Sequence, residues 1–167
     1  SSQYSVPINV TGTAVVRARC FVDGMSPSLI ATETYFINES FSLPVVSVTT
    51  DPYNLWDKNY GIYVDDGGYP NCNSFQDWER PVNIEYFEKS GNIGFKLDGS
   101  VKIHGGLTRI VNQKALNFYA KKSYGPDKIE YKLFADKDIS KFESLVLRNG
   151  GNDYKFGIFR DPMMQTL

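Results

Sequence analysis

The sequence predicts a mainly β chain organised around an antiparallel meander, with a short separate group of strands ahead of it. Three observations carry this. Aromatic residues make up 14% of the 167 residues, among them eleven Tyr and eleven Phe, and these side chains favour the pleated surface of a sheet. Fourteen Gly and eight Pro supply frequent punctuation, as a chain of many short strands requires. The third is periodicity. In runs such as Val82-Asn-Ile-Glu-Tyr-Phe-Glu88 the apolar and polar residues alternate with period two, the pattern of a strand rather than a helix.

Residues 1–40 read as their own unit. Val15–Val22 alternates Val15, Arg17 and Arg19 against Val16, Ala18 and Cys20, the period of a half-buried strand. Asp23-Gly24 turns the chain, and Thr32–Ile37 reads as a second strand. Two or three strands are marginal alone, so this unit reads as the end of a β-sandwich whose earlier strands are missing.

A second unit starts at residue 41. Leu43-Pro-Val-Val-Ser-Val-Thr-Thr50 is β-branched and predicts a short strand of the buried type. Asp51-Pro52 stops it, and Asp51 is placed to cap one helical turn over Tyr53–Asp57 that turns Leu55 and Trp56 inward. Gly61–Val64 predicts another strand, and Asp65–Gln76 a polar loop acting as a lid or an insertion. The meander follows: strands over Val82–Glu88, Ile93–Leu97 and Val101–His104, with turns at Lys89–Asn92 and Asp98-Gly99. Ala115–Ala120 is a further strand, Glu130–Phe134 a short element, and Phe142–Leu147 a final buried strand. At Arg160-Asp-Pro-Met, Asp161 suits an N-cap and Pro162 the first helical position. A helix is thus expected to open there, and the chain reads as a fragment with sequence missing at both ends.

The densest polar stretch is Gly99–Lys114, which holds the only histidine, a Gly-Gly pair and two cations just ahead of a strand. Gly105 and Gly106 can adopt positive φ and bring backbone N–H groups close to a ligand. Arg109 and Lys114 would then meet anionic oxygens from the side. The spacing is neither a Walker loop nor GxGxxG, and a hairpin turn with solvated cations fits it as well. A second Gly-Gly turn follows Arg148 and Asn149. His104 reads as structural, its ring bonded to a loop carbonyl. Asp65-Asp66 reads as a solvated pair without the spacing of a Ca²⁺ loop. Cys20 and Cys72 read as free thiols, Cys20 as a small apolar residue inside a strand.

The net charge of −1 gives no electrostatic case for a nucleic acid or an acidic membrane surface. No stretch approaches the roughly 20 apolar residues of a membrane span, so membrane insertion is not expected. The chain opens on Ser1-Ser-Gln-Tyr4, without a basic head or apolar run.

Two resemblances bear on function. Thr13-Ala-Val-Val-Arg-Ala-Arg19 with Ser28–Phe36 resembles the closing strands of a chitobiase/hexosaminidase C-terminal-type module, a small immunoglobulin-like sandwich of secreted and surface proteins. From Leu43 onward the matches run in order: Leu43–Asp57, Gly61-Ile-Tyr-Val64, Trp78–Glu88, Val101-Lys-Ile-His-Gly-Gly106, Gln113-Lys-Ala-Leu116, Leu147–Asp153 and Arg160–Gln165. Together these look like the first part of the CotH family, the spore-coat-protein-H-like atypical protein kinases.

That resemblance implies that residues 41–167 are the N-terminal part of a kinase-like domain, with the meander as its N-lobe and α+β character once complete. It implies ATP with Mg²⁺ or Mn²⁺ as cofactors, and transfer of phosphate to Ser or Thr of coat or cell-surface proteins of a bacterium. The C-lobe of the same protein is the implied partner. A lysine of a kinase N-lobe pairs with the nucleotide phosphates, and Lys114 is the candidate. Arg109 assists it, Gly105 and Gly106 bring backbone to the nucleotide, and Arg148 and Asn149 face the same cleft. The chain contains neither His-Arg-Asp nor Asp-Phe-Gly. Metal ligands and the catalytic acid are therefore expected beyond Leu167, and the fragment alone is expected to be inactive. Two other classes stay open: a non-catalytic surface or adhesion protein with a kinase-like fold, and a carbohydrate-associated surface module.

Overall fold

The computed structural model describes residues 3–153, 155–157 and 163. The helix start expected at Asp161 and Pro162 lies outside them. The described chain is mainly β and antiparallel, as the alternation predicts. A five-stranded sheet in the order β3-β4-β5-β6-β9 is built from Val45–Thr49, Arg80–Phe87, Ile93–His104, Ala115–Ala120 and Ser144–Leu147. A two-stranded hairpin of β1 (Ala14–Ala18) and β2 (Ala31–Tyr35) precedes it, and β7 (Ile129–Glu130) pairs with β8 (Lys141–Phe142) beside it. Among the described residues no helix is long and apolar enough to cross a membrane.

One face of the five-stranded sheet carries the core. Val82, Ile84, Phe95, Leu97, Val101, Ile103, Phe118 and Ala120 pack there, closed over by Ile62 and Ile129. Successive strand residues point to opposite faces, so Asn83, Glu85, Lys96, Asp98, Ser100, Lys102, Asn117 and Tyr119 share the other. The β1–β2 hairpin docks on this polar face. Thr34 hydrogen-bonds both Ser47 and the fully buried Glu85, Glu33 pairs with Lys96, and the Phe36 ring meets Phe87 edge-on at 4.8 Å.

Several expectations are corrected. The meander has no turn at Asp98-Gly99, because β5 runs unbroken through both residues. Gly99 serves close approach instead: a Cβ there would collide with the Tyr119 carbonyl oxygen and stand 2.7 Å from the Phe118 ring. Strands β3 and β9 are edges, not buried strands; Val46 and Val48 are each 37% exposed and Val146 is 42% exposed. Gly61–Val64 forms no strand. It folds back on helix α1 (Pro52–Trp56), with Ile62 N–H donating to the Asn54 carbonyl and Tyr63 N–H to that of Leu55, both at 3.0 Å.

Asp51 caps α1 as expected, accepting from the Tyr53 N–H at 3.0 Å. Leu55 packs against the core as expected and Asn54 is buried as well, whereas Trp56 is 60% exposed and does not turn inward. Strand β1 stops at Ala18, and the Cys20 N–H donates to Ser28 Oγ. Cys20 is thus an exposed free thiol outside the strand, and Cys72 is a buried free one. The element expected over Glu130–Phe134 reduces to β7.

Candidate functional site

The register brings the expected site residues to one end of the sheet. His104 ends β5 opposite Ala115, the first residue of β6, and Leu147 ends β9 opposite Leu116. The Gly105–Lys114 connection and the Arg148–Asp153 turn therefore leave the sheet side by side.

Gly105 has φ +107°, and a Cβ on it would stand 2.6 Å from Thr108 Oγ1. Only glycine suits that position. Gly106 keeps negative φ and opens a 3-10 turn over Leu107–Ile110. Arg109 folds back from this turn: Nε donates to the Gly105 carbonyl at 2.6 Å, and Nη1 lies 3.3–3.5 Å from the carbonyls of Ser74, Phe75 and Gln76. Its guanidinium clamps the Asp65–Gln76 loop. That loop is anchored rather than a free lid, since Cys72 and Ser74 within it are 1% and 0% exposed.

Lys114 is only 4% exposed. Its Nζ donates to Asp65 Oδ2 at 2.8 Å, to the Arg109 carbonyl at 2.6 Å and to the Val111 carbonyl at 3.2 Å. All three ammonium protons thus have protein acceptors. Asp65 also accepts from the buried Ser74 hydroxyl, so its carboxylate is an ion-pair partner rather than a solvated charge. Asn149 is 7% exposed; its Nδ2 donates to the Gln113 carbonyl at 2.8 Å, and its Oδ1 accepts from the Gly151 N–H at 3.0 Å. That turn needs its glycines, with φ +84° at Gly150 and +59° at Gly151. Arg148 is exposed on the same turn.

The structure thus gathers Gly105, Gly106, Arg109, Lys114, Arg148 and Asn149 into one region. Lys114 and Arg109, however, point at backbone carbonyls and not into open space. A phosphate reaching Lys114 would have to replace one of its carbonyl partners. His104 is exposed at the strand end, and its ring has no hydrogen bond among the described residues, contrary to the carbonyl bond expected. No group of three His, Cys, Asp or Glu side chains is placed to hold a metal among the described residues. The donor set of the described residues therefore does not fit Mg²⁺ or Mn²⁺.

A second polar cluster, not singled out from the sequence, lies on the face opposite the core. The fully buried Ser100 hydroxyl donates to Glu79 at 2.8 Å, Lys121 pairs with the same carboxylate, and Lys102 pairs with Asp77 at 2.7 Å. Both ammonium groups lie over the Tyr119 ring, 5.5 and 5.6 Å from its centre. The Lys102 hydrogen bond holds Asp77 below the usual carboxylate range. Burial pushes Glu79 up, but the bonds from Lys121 and Ser100 outweigh it and leave the carboxyl below its usual range. The bond to Asp77 raises Lys102 in turn. The alternation Lys96, Asp98, Ser100, Lys102 along one strand was the readable signal for this face. No family model, curated protein or solved structure matches the chain.

Proposed function

We propose that this chain is the N-lobe portion of a CotH-like atypical Ser/Thr protein kinase, using ATP with Mg²⁺ or Mn²⁺ on coat or cell-surface proteins of a bacterium. The supporting observation is the meeting, at one end of an antiparallel sheet, of the Gly105-Gly106 turn, the Asn149 turn, and a buried lysine paired with a carboxylate at 2.8 Å. Phosphoryl transfer relies on positioning and on cations that offset charge on the phosphate oxygens. Lys114 is held by Asp65 and two carbonyls, so its ammonium is oriented in advance, and a phosphate oxygen replacing a carbonyl would keep its coordination complete. On this reading the chain supplies one wall of a cleft, and the metal ligands and the group that orients the acceptor hydroxyl belong to the C-lobe.

A second reading draws on the saturation of Lys114 and Arg109 by protein acceptors. It assigns the same edge to a closed structural clamp in a non-catalytic surface or adhesion protein. Calorimetric titration of the full-length protein with ATP, with Mg²⁺ or Mn²⁺ present, separates the two. The kinase reading expects saturable, metal-dependent binding that Lys114→Met and Asp65→Asn each weaken at least about tenfold, followed by phosphate transfer to a Ser-rich acceptor. Absence of nucleotide binding with either metal, or binding unchanged in a folded Lys114→Met protein, overturns it.

A further inference from the structure

The segment between β5 and β6 is held differently from the strands on either side of it. Ile103 and Ala115 are 2% and 3% exposed, whereas no residue of the Leu107–Ile110 turn is buried, and Leu107 and Ile110 are 68% and 51% exposed. The turn therefore gains little from apolar burial. Its ends differ as well. Gly105 and Gly106 give one end a wide choice of backbone angles, while the other is tied down where Asn149 donates to the Gln113 carbonyl at 2.8 Å. Between these ends, among the described residues, Arg109 is the one whose side chain ties the turn to the loop beside it.

That tie is made of unequal bonds. The bond from Arg109 Nε to the Gly105 carbonyl, at 2.6 Å, stays within the segment's own hinge. The bonds that cross to the Asp65–Gln76 loop are 3.3–3.5 Å long, beyond the usual range for N–H···O, and the two Nη1 protons serve three carbonyls. The same segment also covers the buried cation. The Arg109 carbonyl accepts from Lys114 Nζ at 2.6 Å and the Val111 carbonyl at 3.2 Å. Two of the three acceptors of Lys114 thus ride on the segment that Arg109 fastens, and the third, Asp65, belongs to the loop it is fastened to. Swinging the segment away would free two ammonium protons at once and leave the Asp65 pair in place.

We infer that Gly106–Asn112 is an autoinhibitory latch, closed in this structure, whose opening gives Lys114 to a nucleotide phosphate. The inference rests on the kinase reading of Lys114, and it assigns Arg109 to the latch instead of to the phosphate. A ligand that needs the open state binds with an affinity reduced by the open fraction, so loosening the latch strengthens binding. In the full-length protein, Arg109→Gln is expected to raise amide exchange across Gly106–Asn112 about tenfold or more. Acylation of Lys114 by an amine-reactive ester, read by mass spectrometry, is expected to rise by about the same factor. Labelling of Lys122, whose side chain is 85% exposed, and exchange in strands β4, β5 and β6 are expected to stay as they were. Calorimetry with ATP and Mg²⁺ or Mn²⁺ is expected to show binding to Arg109→Gln at least about threefold tighter. Arg109→Lys keeps the charge but loses the planar fork; it should move Lys114 labelling in the same direction and decides if the first variant fails to fold. Lys114 labelling within about twofold of the wild type, an equal rise of exchange throughout β4, β5 and β6, or weaker ATP binding by the variant overturns the latch. Should ATP bind to neither protein, the kinase reading fails and Lys114 labelling alone decides the latch.

Discussion

Replacing Lys114 with Met tests whether a saturated ammonium staples the site loops to the sheet. The Lys114 side chain is 1% exposed and its Nζ has three acceptors, at 2.6, 2.8 and 3.2 Å. Breaking a buried ion pair by removing one partner costs about 3–5 kcal/mol. Here the partner left behind, Asp65, is 43% exposed and can rehydrate, which lowers the cost. The two carbonyls keep a further penalty, since hydrogen bonds to charged groups contribute about 1.5–3 kcal/mol. A net loss of about 2–3 kcal/mol is expected, which for a chain of this size lowers Tm by about 4–12 °C. Asp65→Asn should cost about 1 kcal/mol, because it removes charge but keeps an acceptor for Nζ. Urea unfolding of the two single variants and the double variant gives the coupling between them. A Lys114→Met loss below about 1 kcal/mol, or no coupling with Asp65→Asn, refutes the staple.

Other outcomes follow from the same structure. Gly99→Ala should destabilise by about 3 kcal/mol in urea unfolding, because a Cβ there meets the Tyr119 backbone oxygen and the Phe118 ring; a change within about 0.5 kcal/mol would contradict that close approach. The bond from the Tyr131 hydroxyl to Glu88 pushes the Tyr131 phenol up to about 12. A raised folded pKa means the contribution is fully present below the ordinary tyrosine value near about 10 and is lost as pH rises toward about 12. Tyrosinate absorbance should show a late-titrating component that Tyr131→Phe removes. Glu79 has the opposite sign: its folded pKa is lowered, so its stabilisation is present above the ordinary carboxylate range and is lost as pH falls through the lowered value. Glu79→Gln should flatten the acid limb of a stability–pH curve while leaving its alkaline limb in place.

The meander strands were legible because alternation is a local property. Strands β4 and β6 and the Lys89–Asn92 turn lie where the pattern put them. Gly99 shows the limit. Asp-Gly between apolar runs carries the signal of a hairpin, yet the need for glycine comes from Phe118 and Tyr119 on the neighbouring strand. Edge position is equally non-local, so the β-branched Val45–Thr49 read as buried although one of its sides has no partner strand among the described residues. At the candidate site the sequence located Lys114, Arg109 and Asn149 together, but it did not show what they touch. Their partners are mostly main-chain carbonyls, which every residue carries and no pattern marks. The Asn83–Asp98 contact was likewise invisible until the β4–β5 register set the two residues opposite each other.

The buried Glu85 has a consequence for how the chain holds together as a cooperative unit. Its carboxylate is satisfied by Thr34 of the hairpin and lies 3.7 Å from Lys96. Peeling the hairpin from the sheet would strip the charge of its Thr34 donors and uncover the Phe87 ring in the same movement. The first forty residues, read from sequence as a separate piece, are therefore coupled to the sheet behind them. Hydrogen exchange in β1, β2 and the sheet should converge on one opening free energy, and a chain cut at residue 40 should lose stability in the strands that remain.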